Sequence, residues 1–268
     1  MAVARDDGAA GRIRVQHAGA LATVVLDHPG RMNAITVSMW RELARIFAEL
    51  SSDAGLRCVV IRGAGGHFAV GADIREFPQV RSDPLRVQAY HRRTIAPALQ
   101  AIAGCPHPVL AVIEGVCVGG GLEIASVCDL RLAAHDARFG APINRLGFPM
   151  APDEMRGLLA LAGRAVTLEI LLEGRVFGAR EALSKGLLTR VVEAAELESE
   201  QAATAARLCA GAPLAARLNK RMSARLGAGS PPLTDAEWQD CFSYASGPDH
   251  QEGVRAFLDG RPPVFKGE

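Results

Sequence analysis

Three absences limit the classes to which this 268-residue sequence can belong. Its six cysteines include no CxxC pair, so we expect free thiols in a reducing compartment, with neither a zinc site nor a disulfide framework. No apolar run approaches the roughly 20 residues that span a bilayer, and residues 1–15 lack the apolar segment of a secretory signal. The 30 basic and 29 acidic side chains nearly balance, which argues against a nucleic-acid-binding surface. We therefore expect a cytoplasmic protein with neither nucleic acid nor membrane as a partner.

Several catalytic and nucleotide-binding motifs are also missing. The chain has no GK[ST] sequence of a phosphate-binding loop, and its glycine-rich segment GGGLEI lacks the third glycine of a dinucleotide-binding fingerprint. No GxSxG occurs, so a serine nucleophile on a strand-to-helix turn is not indicated. The remaining signals must come from the pattern of strands, helices and glycines.

Apolar segments alternate with helical patterns over the first two-thirds of the chain. A helix is predicted from about Thr36, with one apolar face. Segments rich in Val, Ile and Leu that are separated by helices are typical of an α/β core built from crossover units. The predicted strands are Leu21–Asp27, Leu56–Ile61, Pro108–Ile113 and Asp129–Ala133.

The last third of the chain changes to an almost continuous helical pattern. It is interrupted at glycine–proline breaks, and helix starts are predicted at Pro213, Thr234 and Pro248. We divide the chain into a core, residues 1–192, and a helical region, residues 193–268. The sequence leaves open whether the helices pack on their own chain or on a neighbouring subunit.

Two glycine-rich segments, Gly63–Ile74 and Gly115–Glu123, each follow a predicted strand. Glycines let a backbone approach a ligand without a Cβ in the way, and the first amides of a helix have no acceptor within it. The first amides of the helix after the triple glycine, with a second N–H from the Gly71–Ala72 turn, are therefore candidates for an oxyanion hole around a thioester carbonyl. Tight packing of a strand against a helix is the alternative explanation for these glycines.

Glu123 lies two residues after the triple glycine, in the first turn of the helix that this segment begins. An acid there can simply interact favourably with the helix dipole. In an apolar, closed site, however, burial would raise its pKa and let it move protons at the carbons next to a thioester.

The sequence resembles the crotonase (enoyl-CoA hydratase/isomerase) family in FAVGADIREF, PVLAVIEGVCVGGGLEIASVCDLRLAAHDARFGAP and the ending AFLDGRPPVFK. The resemblance implies an α/β crotonase-like spiral of ββα units with a helical C-terminal region that forms a homotrimer or a dimer of trimers. It further implies an acyl-CoA substrate and no separate cofactor, because coenzyme A enters as part of the substrate. No metal or redox group is implied.

The resemblance also assigns roles to single residues. Ala72 and Gly120 would supply the oxyanion-hole amides, and Glu123 matches the first of two catalytic glutamates in the family's hydratases. Phe265 and Lys266 match a terminal pair that reaches the coenzyme A of an adjacent subunit in relatives; a solvated tail is the alternative. The other positions that match substrate-contacting residues are Arg31, Ala34, Asp73, Ile74 and Arg75.

The sequence departs from the family at the second glutamate, whose position is taken by Ile143 in FGAPINRLGFPMAPDEM. Three readings follow. Glu154 or Asp153 could replace the missing acid from the start of the next helix, Glu123 could act as a single base in an isomerisation or similar enolate reaction, or the chain could bind acyl-CoA without catalysis. The acyl group stays open, since it depends on how residues 77–101 close the pocket.

Overall fold

A computed structural model gives the fold of residues 10–227 and 230–267. Residues 1–9, 228–229 and Glu268 lie outside the described residues. Residues 1–9 include the start of the predicted core region and most of the segment that was expected not to be a secretory signal. Within the described ranges, no helix has the length and apolarity needed to cross a membrane.

The larger of two sheets has six strands in the order β1-β2-β3-β4-β6-β9. Only the β1–β2 hairpin is antiparallel, and the other neighbours are parallel. The four predicted strands are present within two residues of their predicted bounds, whereas the two edge strands were not foreseen. The strands are β1 (Arg12–Ala18), β2 (Leu21–Asp27), β3 (Cys58–Gly63), β4 (Val109–Ile113), β6 (Leu130–Ala134) and β9 (Arg190–Val192).

A smaller sheet contains β5 (Val116–Val118), β7 (Arg138–Gly140) and β8 (Val176–Gly178), in that order. Parallel bridges extend it to two loops, through the pairs Ala69–Cys117 and Ile35–Ala72. Each of these segments follows a strand of the larger sheet along the chain. The smaller sheet therefore brings both glycine-rich segments side by side.

Helices cover the sheets and contribute many of the buried apolar side chains of the core. The predicted start at Thr36 is confirmed, because its hydroxyl accepts the amide of Met39 at 3.2 Å and the helix begins at Val37. The helices before residue 193 are α1 (Val37–Ser52), α2 (Phe77–Val80), α3 (Pro84–Tyr90), α4 (Ala96–Gly104), α5 (Gly120–Val127), α6 (Pro152–Glu173) and α7 (Ala179–Ser184).

The C-terminal region consists of α8 (Leu197–Ala210), α9 (Pro213–Arg225), α10 (Asp235–Phe242) and α11 (Pro248–Leu258). The three predicted helix starts are confirmed. Two of the helices pack on their own chain: α8 buries apolar residues against the larger sheet, and Lys220 of α9 bonds Asp129 at 2.6 Å. By contrast, α10 and α11 leave large apolar side chains in solvent.

Free thiols were expected, and all six cysteines are unpaired. Cys58, Cys105, Cys117 and Cys128 are buried, whereas Cys209 and Cys241 are partly exposed. The four buried thiols fill apolar space in the core, which is the ordinary role of cysteine away from reactive sites.

Candidate active site

A cavity of about 100 Å³ lies where the two glycine-rich segments meet the start of α6 and the segment around α2. It is bounded on one side by Gly71, Ala72 and Gly120, and on another by two glutamates, Glu123 and Glu154. The other lining residues are mostly apolar: Trp40, Val70, Ile74, Phe77, Arg81, Ile95, Val118, Gly119, Pro142, Ile143, Leu146, Phe148 and Met150. No group of three or more His, Cys, Asp or Glu side chains in the described ranges is placed to hold a metal ion.

The structure brings together the two amides that the sequence analysis selected. Ile35 donates to the carbonyl of Gly71 at 2.8 Å and accepts from the amide of Asp73 at 2.9 Å, which leaves the amide of Ala72, between them, outside the pairing. Gly120 is the first residue of α5, so its amide has no acceptor in the helix. Neither amide has a hydrogen-bond acceptor in the described part of the chain.

The spacing around the triple glycine shows why side chains are excluded there. A Cβ on Gly120 would lie 2.9 Å from Trp40 Cζ2 and 3.5 Å from the amide nitrogen of Ala72. A Cβ on Gly121 would lie 2.4 Å from the carbonyl oxygen of Ala69. Gly121 is therefore required by packing, as the alternative reading supposed, while Gly120 keeps open the space beside the two amides.

Asn33 braces the loop that carries Ala72. It is buried in the left-handed region, at a φ of 56°. Its side-chain amide donates to the carbonyls of Ala64 and His67 at 2.8 and 2.7 Å, and its side-chain oxygen accepts the amide of His28 at 3.0 Å. These bonds tie the loop after β2 to the loop after β3, and so fix the position of the Ala72 amide.

Glu123 is 7% exposed and faces the cavity from the first turn of α5. Burial raises its pKa well above the ordinary glutamate value, and the negative charge of Glu154 raises that pKa further. The cation of Arg81 acts in the opposite direction. The carboxyl therefore favours its protonated form more strongly than a solvated glutamate does.

Glu154 lies in the same cavity, at the start of α6, and is 4% exposed. The carboxylate oxygen Oε1 forms a short hydrogen bond with Nδ1 of His91, which is itself largely buried. Its neighbour Asp153 instead pairs with Arg156 at 3.1 Å on the exposed face of the helix. Of the two acids considered as replacements, only Glu154 faces the cavity.

Ile143, at the position of the missing glutamate, lines the cavity as an apolar wall. It lies in a 3₁₀ helix, Pro142–Leu146. The adjacent Asn144 bonds the carbonyl of Leu172 at 2.9 Å and so holds a turn rather than a ligand. Ile143 therefore brings no acid group to the cavity, and the carboxyl groups that line it belong to Glu123 and Glu154.

The residues expected to contact coenzyme A have different positions. Ile74 lines the cavity and is 57% exposed. Ala34 and Asp73 are buried and do not line it. Arg75 donates to the Asp73 carboxylate at 2.9 Å through Nε, which lowers the pKa of that carboxyl. Arg31 belongs to the same loop as Asn33 but does not line the cavity.

The C-terminal pair is remote from this cavity in the single chain. The amide of Lys266 donates to Asp249 of α11 at 2.7 Å, and the carbonyl of Phe265 accepts from Arg57. Neither residue lines the cavity. The prediction that they reach the coenzyme A of an adjacent subunit stays a prediction.

His91 and Arg81 were missed by the sequence analysis. Both belong to residues 77–101, which were expected to close the pocket but in which the sequence pattern singled out no residue. His91 begins a short π-helix, His91–Ile95, between α3 and α4, a local widening that is frequent at functional sites. The basic run HRR, residues 91–93, was the available sequence signal for His91. It follows no helical or strand periodicity that would place one of its side chains in a pocket.

The fold and the paired loops are those of the crotonase class, and solved structures are similar over almost their full length. An enoyl-CoA hydratase/carnitine racemase from Magnetospirillum magneticum is 46% identical, with a TM-score of 0.93 and 96% of each chain covered. An enoyl-CoA hydratase/isomerase family protein from Hyphomonas neptunium is 37% identical, with a TM-score of 0.90, over 96% of this chain and 98% of that one.

Sequence comparison identifies the family. The family model for enoyl-CoA hydratase/isomerase matches residues 16–268. A probable enoyl-CoA hydratase of Bacillus subtilis is 32% identical over 91% of this chain and 95% of the relative. The chain belongs to the enoyl-CoA hydratase/isomerase family and is an enzyme of the lyase or isomerase type; the resemblance and the fold class inferred from sequence are thereby confirmed.

Proposed function

We propose that this enzyme adds water to a short-chain enoyl-CoA thioester, with Glu123 and Glu154 as its acid–base pair. The observation that carries the proposal is the presence of both buried carboxyl groups in one small cavity next to two unpaired backbone amides. The cavity is smaller than the roughly 300–1,000 Å³ of typical drug-sized ligand pockets, which favours a short acyl group.

The amides of Ala72 and Gly120 would bind the thioester oxygen. When water adds to the β-carbon, electrons move onto that oxygen, and donors already aimed at it stabilise the resulting enolate without reorganising. Loss of one such donor typically costs about 3–4 kcal/mol in the barrier. The bonds of Ile35 and Asn33 support the proposal because they fix the donor loop before substrate arrives.

The two acids would have different roles. Glu123, whose pKa is raised, carries the proton that is delivered to the α-carbon. Glu154, when ionised, accepts a hydrogen bond from Nδ1 of His91 and takes a proton from the attacking water as its oxygen bonds the β-carbon. One proton enters Glu154 and one leaves Glu123, so the sum is addition of water; proton exchange with solvent restores the pair.

Glu154 also bears on the two alternatives drawn from Ile143. Single-base isomerisation and binding without catalysis were suggested because a second acid was absent from its usual place. With Glu154 in the cavity, that reason no longer holds. Isomerisation by a single base and binding without catalysis are both possible results of the activity assay described next.

The first prediction is turnover itself. Purified protein, dialysed against EDTA and given no added cofactor, should hydrate trans-2-butenoyl-CoA, with loss of the absorbance of the conjugated thioester. Because a single-base enzyme would isomerise instead, 3-butenoyl-CoA is assayed in parallel. Isomerisation without hydration, or binding of butanoyl-CoA with no turnover on either substrate, contradicts the proposal.

We further propose that residues 193–268 assemble the chain into a homotrimer or a dimer of trimers. In the single chain, α10 and α11 expose large apolar side chains, among them Phe257 at 84% and Leu258 at 78%, and exposed apolar patches mark interaction surfaces. Assembly also offers Phe265 and Lys266 a neighbouring active site. Arg31, Ala34, Ile74 and Arg75 would then contact the coenzyme A arm from the same chain.

The second prediction concerns the mass in solution. Light scattering on a size-exclusion column should give three or six times the 28.3 kDa of one chain. Phe257→Asp should lower that mass, because it places a charge in a surface that assembly buries. Leu85→Asp is a matched control, since Leu85 is similarly exposed at 78% but lies outside α10 and α11. A monomer of 28.3 kDa at micromolar concentration would contradict assembly.

A further inference from the structure

Arg81 is the only basic residue among the described residues that line the cavity. It follows α2 and is held by aromatic rings: its guanidinium carbon lies 4.0 Å from the ring centroid of Phe77 and 4.2 Å from that of Phe148. The ring of Tyr90 is 5.4 Å away. These contacts stabilise the cation, but none of the rings accepts its N–H donors as a carboxylate would.

The guanidinium has no anionic partner in the described structure. Its Nε is buried without a hydrogen bond, and neither Glu123 nor Glu154 forms an ion pair with it, although both charges act on it from across the cavity. Other arginines with partly buried heads do find acceptors: Arg175 bonds three glutamates, and Arg131 bonds carbonyls of its own chain. Among the described residues, Arg81 is thus a guanidinium that lines the cavity and has no such acceptor.

We propose that Arg81 is a specificity residue that binds a carboxylate on the acyl group of the substrate. The inference rests on the proposed function, since it assigns the acyl class that this same cavity accepts. Five donors in a fixed fork match the two oxygens of a carboxylate. Because the cavity is small, that carboxylate belongs to a short acyl group, on the order of four to five carbons.

The anion at this position is part of the acyl group and not of coenzyme A. Arg81 shares the cavity with the two acids that would act on the α- and β-carbons, whereas the phosphates of coenzyme A are separated from the thioester by the whole pantetheine arm. The cavity can accept another negative charge, because Glu154 is already bound to His91 and burial favours the neutral form of Glu123.

The test uses three trans-2-butenoyl-CoA thioesters that differ only at C4, which carries a hydrogen, a carboxylate or a trimethylammonium group. We expect kcat/KM for the carboxylate to exceed that for the neutral substrate by about 10- to 100-fold, the usual worth of a hydrogen-bonded charge pair. The trimethylammonium substrate should be the poorest of the three, because its cation would face Arg81.

Arg81→Met should abolish the preference for the carboxylate, measured as the ratio of kcat/KM on the carboxylate substrate to kcat/KM on the neutral one. Arg81→Lys, which keeps the charge but loses the fork, should retain part of the preference. Equal losses on all three substrates would overturn the inference, since Arg81 would then only balance the charges of the acid pair. A wild-type preference for the neutral or cationic substrate would overturn it as well.

A binding measurement distinguishes failure of this inference from failure of the proposed function. Calorimetry with the unreactive butanoyl-CoA and 4-carboxybutanoyl-CoA needs no turnover, and the same 10- to 100-fold preference for the carboxylate is expected there. If no substrate is hydrated but the binding preference is present and is lost in Arg81→Met, the proposed function fails and the inference stands. If hydration proceeds without a preference in binding or in kcat/KM, the inference fails and the proposed function stands.

Discussion

Glu154→Gln should reduce kcat for enoyl-CoA hydration by about 10²- to 10⁴-fold, the usual contribution of a general acid or base. The amide has nearly the shape of the carboxyl and can still bond His91, but it cannot take a proton from water. Binding of butanoyl-CoA should change much less, since the oxyanion hole and the apolar walls are untouched. Single-turnover kinetics and calorimetry measure the two effects separately.

Asp153→Asn is the matched control for this variant. It removes a carboxylate one residue away, on the same helix turn, whose side chain lies in solvent with Arg156. Activity within about twofold of the wild type is expected. Comparable losses in the two variants would indicate that the negative charge at the helix start matters for stability alone, and an unchanged kcat in Glu154→Gln would remove Glu154 from the chemistry.

Glu123→Gln should lower kcat by about 10³- to 10⁴-fold and, at the same time, make the protein more stable. The activity is lost because the amide has no proton to deliver to the α-carbon. In the wild type, hydration should decline as pH rises through the raised pKa of Glu123, because the proton donor is then ionised. A pH–rate profile reports this as a pKa of the acid pair.

The gain in stability follows from linkage. A glutamate whose pKa is higher in the folded state binds more protons when folded, so the free energy of unfolding falls as pH rises from the unfolded pKa, about 4.3, to the raised value. Glu123→Gln removes this pH-dependent loss of stability, because glutamine does not ionise. We therefore expect Glu123→Gln to unfold at a higher temperature than the wild type at pH 8 and at nearly the same temperature at pH 4, when both are measured at equal protein concentrations.

Ser126→Ala is the control for disturbance of α5. Ser126 is buried one turn further along the helix, and its hydroxyl bonds only the carbonyl of Glu123, at 2.8 Å. Activity should stay within about threefold, with no pH-dependent gain in stability. A Glu123→Gln enzyme as active as the wild type would show that another group moves the proton, and a less stable one would mean that the carboxyl is ionised and held by its surroundings.

Elements defined by local patterns were predictable from the sequence. The strand Leu21–Asp27 has the predicted bounds, because an apolar run specifies it locally. The helix after Thr36 begins where predicted, because a capping residue and an apolar face specify its start. The hairpin strand Arg12–Ala18 was missed although Ile13 and Val15 alternate with polar residues, because the alternation covers only two apolar positions and the strand is largely exposed. The convergence of the two glycine-rich loops was favoured by the family resemblance, whereas the residues alone favoured tight packing of a strand against a helix.

The acid pair shows where sequence reasoning ends. Glu154 and Asp153 are neighbours in a helix start, and only the position of His91, 63 residues earlier in the chain, decides which of them is buried. Arg81 likewise meets Phe148 only in the folded chain. Contacts of this kind depend on tertiary packing, which no local pattern specifies.

The most direct test of the central claim is a crystal structure of the enzyme with butanoyl-CoA, a saturated thioester that cannot react. The account predicts that the thioester oxygen lies within about 3.2 Å of the amide nitrogens of both Ala72 and Gly120, with its α-carbon facing Glu123. A thioester bound elsewhere, or an oxygen that receives neither amide, would contradict the account.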